Sequence, residues 1–155
     1  MERQDTPPAL LGALLVGLQF ALLAWLAVKV AMGFDPGRVP IDAAVAAAAA
    51  VALGSWALSA NRPGNFNIRP SPREGGHLVQ HGPYRWIRHP MYSALLLGGV
   101  AAARLSGDGS TWLVLAALAV VLRIKSAVEE RGMIARYPAY QDYQRRTRRF
   151  VPGLY

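Results

Sequence analysis

The chain has 155 residues, 53% of them hydrophobic and only 17% charged, with a formal net charge of +8. A soluble domain of this size has no interior large enough for so much apolar surface, so the composition points to one domain in a membrane. It contains no cysteine, which excludes disulfides, thiolate catalysis and cysteine-built zinc sites.

Residues 1–8 lack the basic start of a cleavable signal, and the apolar run behind them is too long for one. That run predicts a first span over residues 9–31, with Gln19 the only strongly polar residue between Ala9 and Val28. About twenty helical residues at 1.5 Å each cross a hydrocarbon core of about 30 Å. Gly33-Phe-Asp-Pro-Gly37 is a turn. A second span covers residues 41–60, rich in alanine and with Asp42 at its edge; its small residues suit close helix packing. Residues 61–89 form a long polar loop with Pro63, Pro70, Pro72, Gly75 and Gly76. Loops of this length are functional or disordered, and the aromatic and apolar residues here argue for function. Two shorter apolar runs, 90–105 and 111–130, predict a helical hairpin joined by the turn Arg104-Leu-Ser-Gly-Asp-Gly-Ser110. Its second helix leaves the membrane as it passes Arg123. Residues 131–149, basic, aromatic and broken by Pro138, predict two short surface helices.

The expected fold is therefore all-α and integral to a membrane: four transmembrane helices, the last two a hairpin, plus short cytoplasmic C-terminal helices in a single domain, 1–155. Of the 17 Lys and Arg side chains, only Lys29, Arg38 and Arg104 fall on the far side of such an arrangement. The positive-inside bias then puts both termini and the long loop in the cytoplasm. Basic residues gathered at the ends of apolar runs set orientation, so the charge does not indicate nucleic acid. The alanine- and arginine-rich composition suits a bacterial inner membrane protein.

The densest chemistry lies in Leu78-Val79-x-x-Gly82-Pro83-Tyr84-x-x-x-Arg88-His89-Pro90-x-Tyr92. Pro83 and Pro90 each fix a backbone dihedral and bias the residue before them away from helix. His89 thus stands at a rigid break before an apolar helix. A second block follows: Glu129-Glu130-x-x-Met133, then Tyr137-Pro-x-Tyr140-x-x-Tyr143 and Arg149-Phe-Val-Pro152. On these two blocks, from about residue 65 onward, the chain resembles the isoprenylcysteine carboxyl methyltransferase family and its phospholipid-methyltransferase relatives. These are small integral membrane enzymes that use S-adenosylmethionine.

The resemblance implies a cofactor site formed by residues 61–92 and 123–152. His77, Leu78, Val79, Tyr84, His89, Pro90, Met91, Tyr92 and Glu129 would bind S-adenosylmethionine. His89 and Glu130 would be catalytic, as the candidate bases if the acceptor is an amine; a carboxylate acceptor needs none. Lys125 and Arg88 would bind the substrate, a lipophilic small molecule or a lipidated acceptor. Where Lys125 stands the family has an arginine, and lysine lacks the forked donor set for a bidentate grip on a carboxylate.

Other uses of the same residues are open at this point. Glu129 and Glu130 can end a helix, with Lys125 and Glu129 an ion pair at i,i+4 spacing. Arg88 can be an interfacial anchor. Tyr137, Tyr140 and Tyr143 suit packing, Trp25, Trp56 and Trp112 an aromatic belt, and Arg145, Arg146, Arg148 and Arg149 contacts with lipid headgroups. His77 and His81 stand four apart but between prolines and glycines, so no metal site is expected. No GxGxxG turn supports a Rossmann-type cofactor fold. The competing functions are an NADPH-dependent membrane reductase of sterol-reductase-like type and a non-catalytic membrane scaffold.

Overall fold

The computed structural model of the chain describes residues 9–61 and 78–154. Among these residues it has five α-helices: α1 (Ala9–Gly33), α2 (Ile41–Ala60), α3 (Pro90–Ser106), α4 (Ser110–Arg136) and α5 (Tyr140–Arg146). Two 3-10 turns, Pro36–Arg38 and Gly82–Arg85, join them. No strand forms among the described residues beyond one isolated parallel bridge between Ile87 and Arg148.

The helix ends follow from local chemistry. After α1, Asp35 turns the chain by accepting the amide of Gly37 at 2.9 Å. Pro40 immediately precedes α2, and Pro90 opens α3, where a missing N–H costs no helical bond. Gly107, at φ +65°, ends α3 in the left-handed conformation that glycine adopts without strain. Asp108 then starts α4 by accepting the Ser110 amide at 2.8 Å.

α3 packs against α1, α2 and α4, and α1 packs against α4. A Cβ added at Gly54 would stand 3.6 Å from Ala94 Cβ, and one at Gly98 3.9 Å from Ala50 Cβ, so α2 and α3 meet through small side chains. A Cβ at Gly33 would fall 2.3 Å from the Ser106 carbonyl, which marks the close approach of α1 to the end of α3. The core centres on Leu26, Tyr92, Leu118, Leu122 and Phe150. Leu14 and Leu18 of α1, Val45 and Val51 of α2, and Leu113 and Val120 of α4 point outward. An apolar exterior of this kind faces lipid rather than water. At the far end of the bundle from Pro90, Lys29 bonds Asp108 at 2.6 Å and Arg104 Nε bonds Asp42 at 2.7 Å, tying α1 and α2 to the hairpin. The Lys29 ammonium and the Ser110 amide hold the Asp108 carboxyl at about 2.

Three helices, α1, α2 and α4, are long and apolar enough to cross a membrane. α3, with 17 residues, spans about 25 Å, a few ångströms less than a typical hydrocarbon core. One expectation is corrected. Residues 131–149 do not form two short helices, because α4 runs unbroken to Arg136 and only Tyr140–Arg146 is separate. No breaker stands before Pro138, so α4 continues until the residue preceding that proline.

Candidate functional site

The two sequence blocks meet where α3 begins and α4 emerges. Residues 86–89 run beside residues 148–149 in parallel: Arg148 N bonds the Trp86 carbonyl at 2.9 Å, Arg88 N the Arg148 carbonyl at 2.8 Å, and His89 N the Arg149 carbonyl at 3.1 Å. Ser93 Oγ completes this clip by bonding the Phe150 carbonyl at 2.6 Å. The turn that carries Tyr84 is pinned from the other side, where Tyr143 Oη donates to the Tyr84 carbonyl at 2.7 Å. Gly82 sits at φ +60°, and a Cβ there would meet Ala60 Cβ at 2.8 Å, so only glycine lets this turn lie on α2.

Glu130 is the hub of the clip and is 3% exposed. Its Oε1 receives Arg88 Nε at 2.7 Å and Arg149 Nε at 3.2 Å, and lies 3.2 Å from His89 Nε2. Its Oε2 receives Gln144 Nε2 at 3.0 Å and the other end of the Arg149 fork. Arg88 also donates to the Thr147 carbonyl at 2.6 Å and the Gln144 carbonyl at 3.2 Å. Two guanidiniums and a carboxylate so arranged form a buried network whose members cannot be lost singly without leaving a charge unpaired.

Glu129 faces a different direction. It accepts the Tyr92 hydroxyl, and its Oε2 lies 3.4 Å from His89 Nδ1, while its side chain stays 19% exposed. His89 is thus held between two carboxylates, one at each ring nitrogen, and stacks on Tyr92 with ring centroids 5.4 Å apart. Phe150 packs edge-on against both rings. Burial opposes charge on His89, but Glu129 and Glu130 outweigh it and hold its pKa above the ordinary 6.5. A pKa raised on folding stabilises the fold fully below the unfolded value, and that contribution is lost as pH rises through the folded value. Thermal unfolding across pH 6 to 9 should therefore show the wild type losing stability on the alkaline side, and a His89→Gln variant losing less. Parallel curves for the two proteins would remove the charged imidazole from this account.

Tyr84 is mostly buried; burial raises its pKa, Asn61 opposes that through a hydrogen bond, and the Glu129 charge adds to the rise. Val79 is buried and Leu78 half-buried beside this turn. Pro90 is buried at the start of α3 and Met91 is half-buried next to it. Lys125, one helical turn before Glu129, is 2% exposed. Its Nζ donates to Gln19 Oε1 of α1 at 2.8 Å and lies 5.3 Å from the Tyr92 ring centroid, so its bond goes to Gln19 rather than to Glu129.

Of the residues singled out in the sequence, His89, Tyr92, Glu129, Glu130, Arg88 and Lys125 come together. His77 lies outside the described residues, as does most of the 61–89 loop. Arg149 and Phe150, part of the second block, belong to the same assembly, as do Gln144 and Thr147 from within residues 123–152; Gln19 joins it from α1, where the sequence reading placed no site residue. Gln19 carried a signal of its own, as the one strongly polar residue of an apolar span. The arginines taken together as headgroup contacts separate: Arg149 pairs with Glu130, Arg145 with Asp142, and Arg146 Nη2 donates to Gln80 at 3.2 Å. Among the described residues no group of three or more His, Cys, Asp or Glu side chains is placed to hold a metal ion.

Comparison with known proteins places this constellation in context. The sequence model of the isoprenylcysteine carboxyl methyltransferase (ICMT) family matches residues 43–135. Over 85 residues, 54% of the chain, the sequence is 34% identical to the cobalt-zinc-cadmium resistance protein CzcN of Cupriavidus metallidurans. It is 33% identical over 86 residues to the nickel-cobalt-cadmium resistance protein NccN of Alcaligenes xylosoxydans xylosoxydans. The matched segment spans 39% and 40% of the length of those two relatives.

Proposed function

The chain belongs to the isoprenylcysteine carboxyl methyltransferase family, and from that premise we propose that it transfers a methyl group from S-adenosylmethionine to a lipophilic or amphiphilic acceptor. We further propose that α3 is a fourth crossing, that both termini are cytoplasmic, and that the site opens on the cytoplasmic face of a bacterial inner membrane. The observation that carries the reading is the convergence of Tyr84, His89, Tyr92 and a partly exposed Glu129 at the mouth of the hairpin. This donor set fits the cofactor. A carboxylate suits an ammonium or ribose hydroxyls, and aromatic faces suit an adenine or a sulfonium cation. When bound, S-adenosylmethionine supplies a methyl group on a cationic sulfur, which a nucleophile takes directly.

The protein's own part is positioning and the exclusion of water. Glu129, Tyr84, Tyr92 and His89 hold the polar end, with Leu78, Val79, Pro90 and Met91 as apolar walls. Lys125, steadied by Gln19, faces the acceptor. Arg88 and Glu130 hold His89 and the clip in place; with both Glu130 oxygens engaged, it serves as a positioning residue rather than as a base. Glu129 and Glu130 at its two ring nitrogens raise the His89 pKa and favour its charged, donating form, so it is poorly set to accept a proton. An acceptor that needs no deprotonation suits such a site, which favours a carboxylate over an amine.

Calorimetry on the detergent-purified protein tests this. S-Adenosylhomocysteine should bind, NADPH should not, and Glu129→Gln and His89→Ala should each weaken binding at least tenfold, about 1.4 kcal/mol. A folded wild type that binds NADPH in place of S-adenosylhomocysteine would establish the reductase reading, and one that binds neither would leave a scaffold.

A further inference from the structure

A single turn follows the clip, Val151-Pro152-Gly153-Leu154, and carries two exposed apolar side chains. Leu154 N bonds the Val151 carbonyl at 3.3 Å and Gly153 sits at φ +77°, so the four residues close a β-turn with proline and glycine at its centre. Val151 and Leu154 thus stand together at the two ends of one turn, 45% and 82% exposed. Pro152 has no amide hydrogen, and the Leu154 amide is bonded within the turn. Two of the four residues therefore leave no amide hydrogen to be hydrated, which lowers the cost of entering a water-poor layer.

The neighbours of the turn fix its height in the bundle. Immediately before it, Phe150 belongs to the core cluster with Tyr92, Leu118 and Leu122, and its carbonyl receives Ser93 Oγ from the first turn of α3 at 2.6 Å. At its far end, Leu154 lines the same cleft as the α4 residue at position 123. Positions 122 and 123 lie about 18–20 Å along α4 from Ser110, within the depth of a hydrocarbon core of about 30 Å. After Arg149 the chain therefore turns back to a height inside the span of α4. On that side α4 presents Val120 and Ile124, 58% and 44% exposed. The turn continues this lipid-facing surface, and at that depth acyl chains are what surrounds the bundle. We propose that Val151 and Leu154 seat the turn among the acyl chains of the adjoining leaflet, so that the segment behind Arg149 is held by lipid on its outer side and by α3 on its inner side. The proposal rests on α4 crossing the membrane and is independent of the methyl-transfer reading.

Because the chain has no cysteine, single-cysteine variants of the full chain report on one place each. Leu154→Cys is compared with Val120→Cys on the lipid-facing side of α4 and with Arg145→Cys on α5, where the native side chain is 75% exposed. Each variant is placed in phosphatidylcholine nanodiscs, which leave both faces of the bilayer open to reagents. Carrying a nitrobenzoxadiazole label, Leu154→Cys should be quenched by phosphatidylcholine with a nitroxide near the top of its acyl chain, and at least threefold less by iodide than Arg145→Cys. Unlabelled protein removes any pull of the label itself. There, alkylation by a membrane-impermeant maleimide should be at least tenfold slower at Leu154→Cys than at Arg145→Cys, each rate scaled to the rate in denaturing detergent. Iodide quenching or alkylation of Leu154→Cys equal to that of Arg145→Cys would overturn the proposal and leave the turn in water. Protection from iodide without nitroxide quenching would overturn it in favour of a second copy of the chain. If Val120→Cys is open to iodide as well, α4 does not cross the membrane, and the proposal falls together with that reading.

Discussion

Glu130→Ala is expected to lower stability by about 3–5 kcal/mol, the loss that follows when one partner of a buried ion network is removed. Arg88 and Arg149, 8% and 14% exposed at their side chains, would keep their charges without the carboxylate that holds both. For a chain of this size that corresponds to a fall in Tm of roughly 10 °C. Glu130→Gln keeps the shape and some of the hydrogen bonds, and should fall between the wild type and the alanine variant. Glu129→Ala is the comparison that gives the result its meaning. Its carboxylate is more exposed and meets only Tyr92 and His89, so its loss should leave the fold near wild-type stability while reducing cofactor binding. Thermal unfolding in detergent, read by tryptophan fluorescence, measures all three. A Glu130→Ala protein melting within two or three degrees of wild type would show that the clip is held by its backbone bonds alone.

Gln19→Leu should destabilise by about 2–3 kcal/mol, the range for losing a hydrogen bond to a charged group in a buried place. The Lys125 ammonium would then have no hydrogen-bond acceptor within the bundle. Adding Lys125→Met to Gln19→Leu should restore stability, because an apolar pair replaces an ion and an amide where lipid surrounds the helices. The sign of this coupling is the point. Two substitutions that together cost less than Gln19→Leu alone identify a pair kept for its chemistry and not for the fold. Activity should behave oppositely: both single variants and the double variant should be impaired, chiefly in acceptor KM. A Gln19→Leu variant of full stability and unchanged KM would detach Gln19 from the site.

Much of this architecture was legible because hydropathy marks membrane helices strongly. The span expected over 41–60 is α2 residue for residue, and the hairpin turn at 104–110 is where Gly107 and Asp108 end one helix and begin the next. The meeting of Arg88-His89 with Glu129-Glu130 followed from a hairpin that returns the chain to its starting height. The helical extension of α4 was harder to see: residues 131–136 carry two arginines and Gly132, yet a single glycine does not stop a helix already under way. The two motif blocks contained the halves of the clip, but their pairing was not legible. The clip rests on a parallel pairing of a few residues too short to impose any alternation on the sequence, and residue type alone does not separate Arg149 as an ion-pair partner from Arg145 or Arg146. Gln19 was visible as an oddity in an apolar run, but its partner is more than a hundred residues away and only packing selects it.

The clip also sets a timetable for making the protein. When Arg88 and His89 leave the ribosome, neither their carboxylates nor the strand that pairs with them has been synthesised. At ordinary elongation rates of about 5–20 residues per second, several seconds pass before Arg149 follows. Over that interval α3 and α4 are completed first, with Glu130 among them, so every apolar helix is in place before Arg149 arrives to close the clip. A message broken off between codons 131 and 147 would yield a polypeptide that inserts but never closes. The unpaired backbone of residues 86–89 and the lost Arg149 partner of Glu130 would mark it as a substrate for membrane quality-control proteases, so truncated products should be short-lived in cells even though their hydrophobic content is intact.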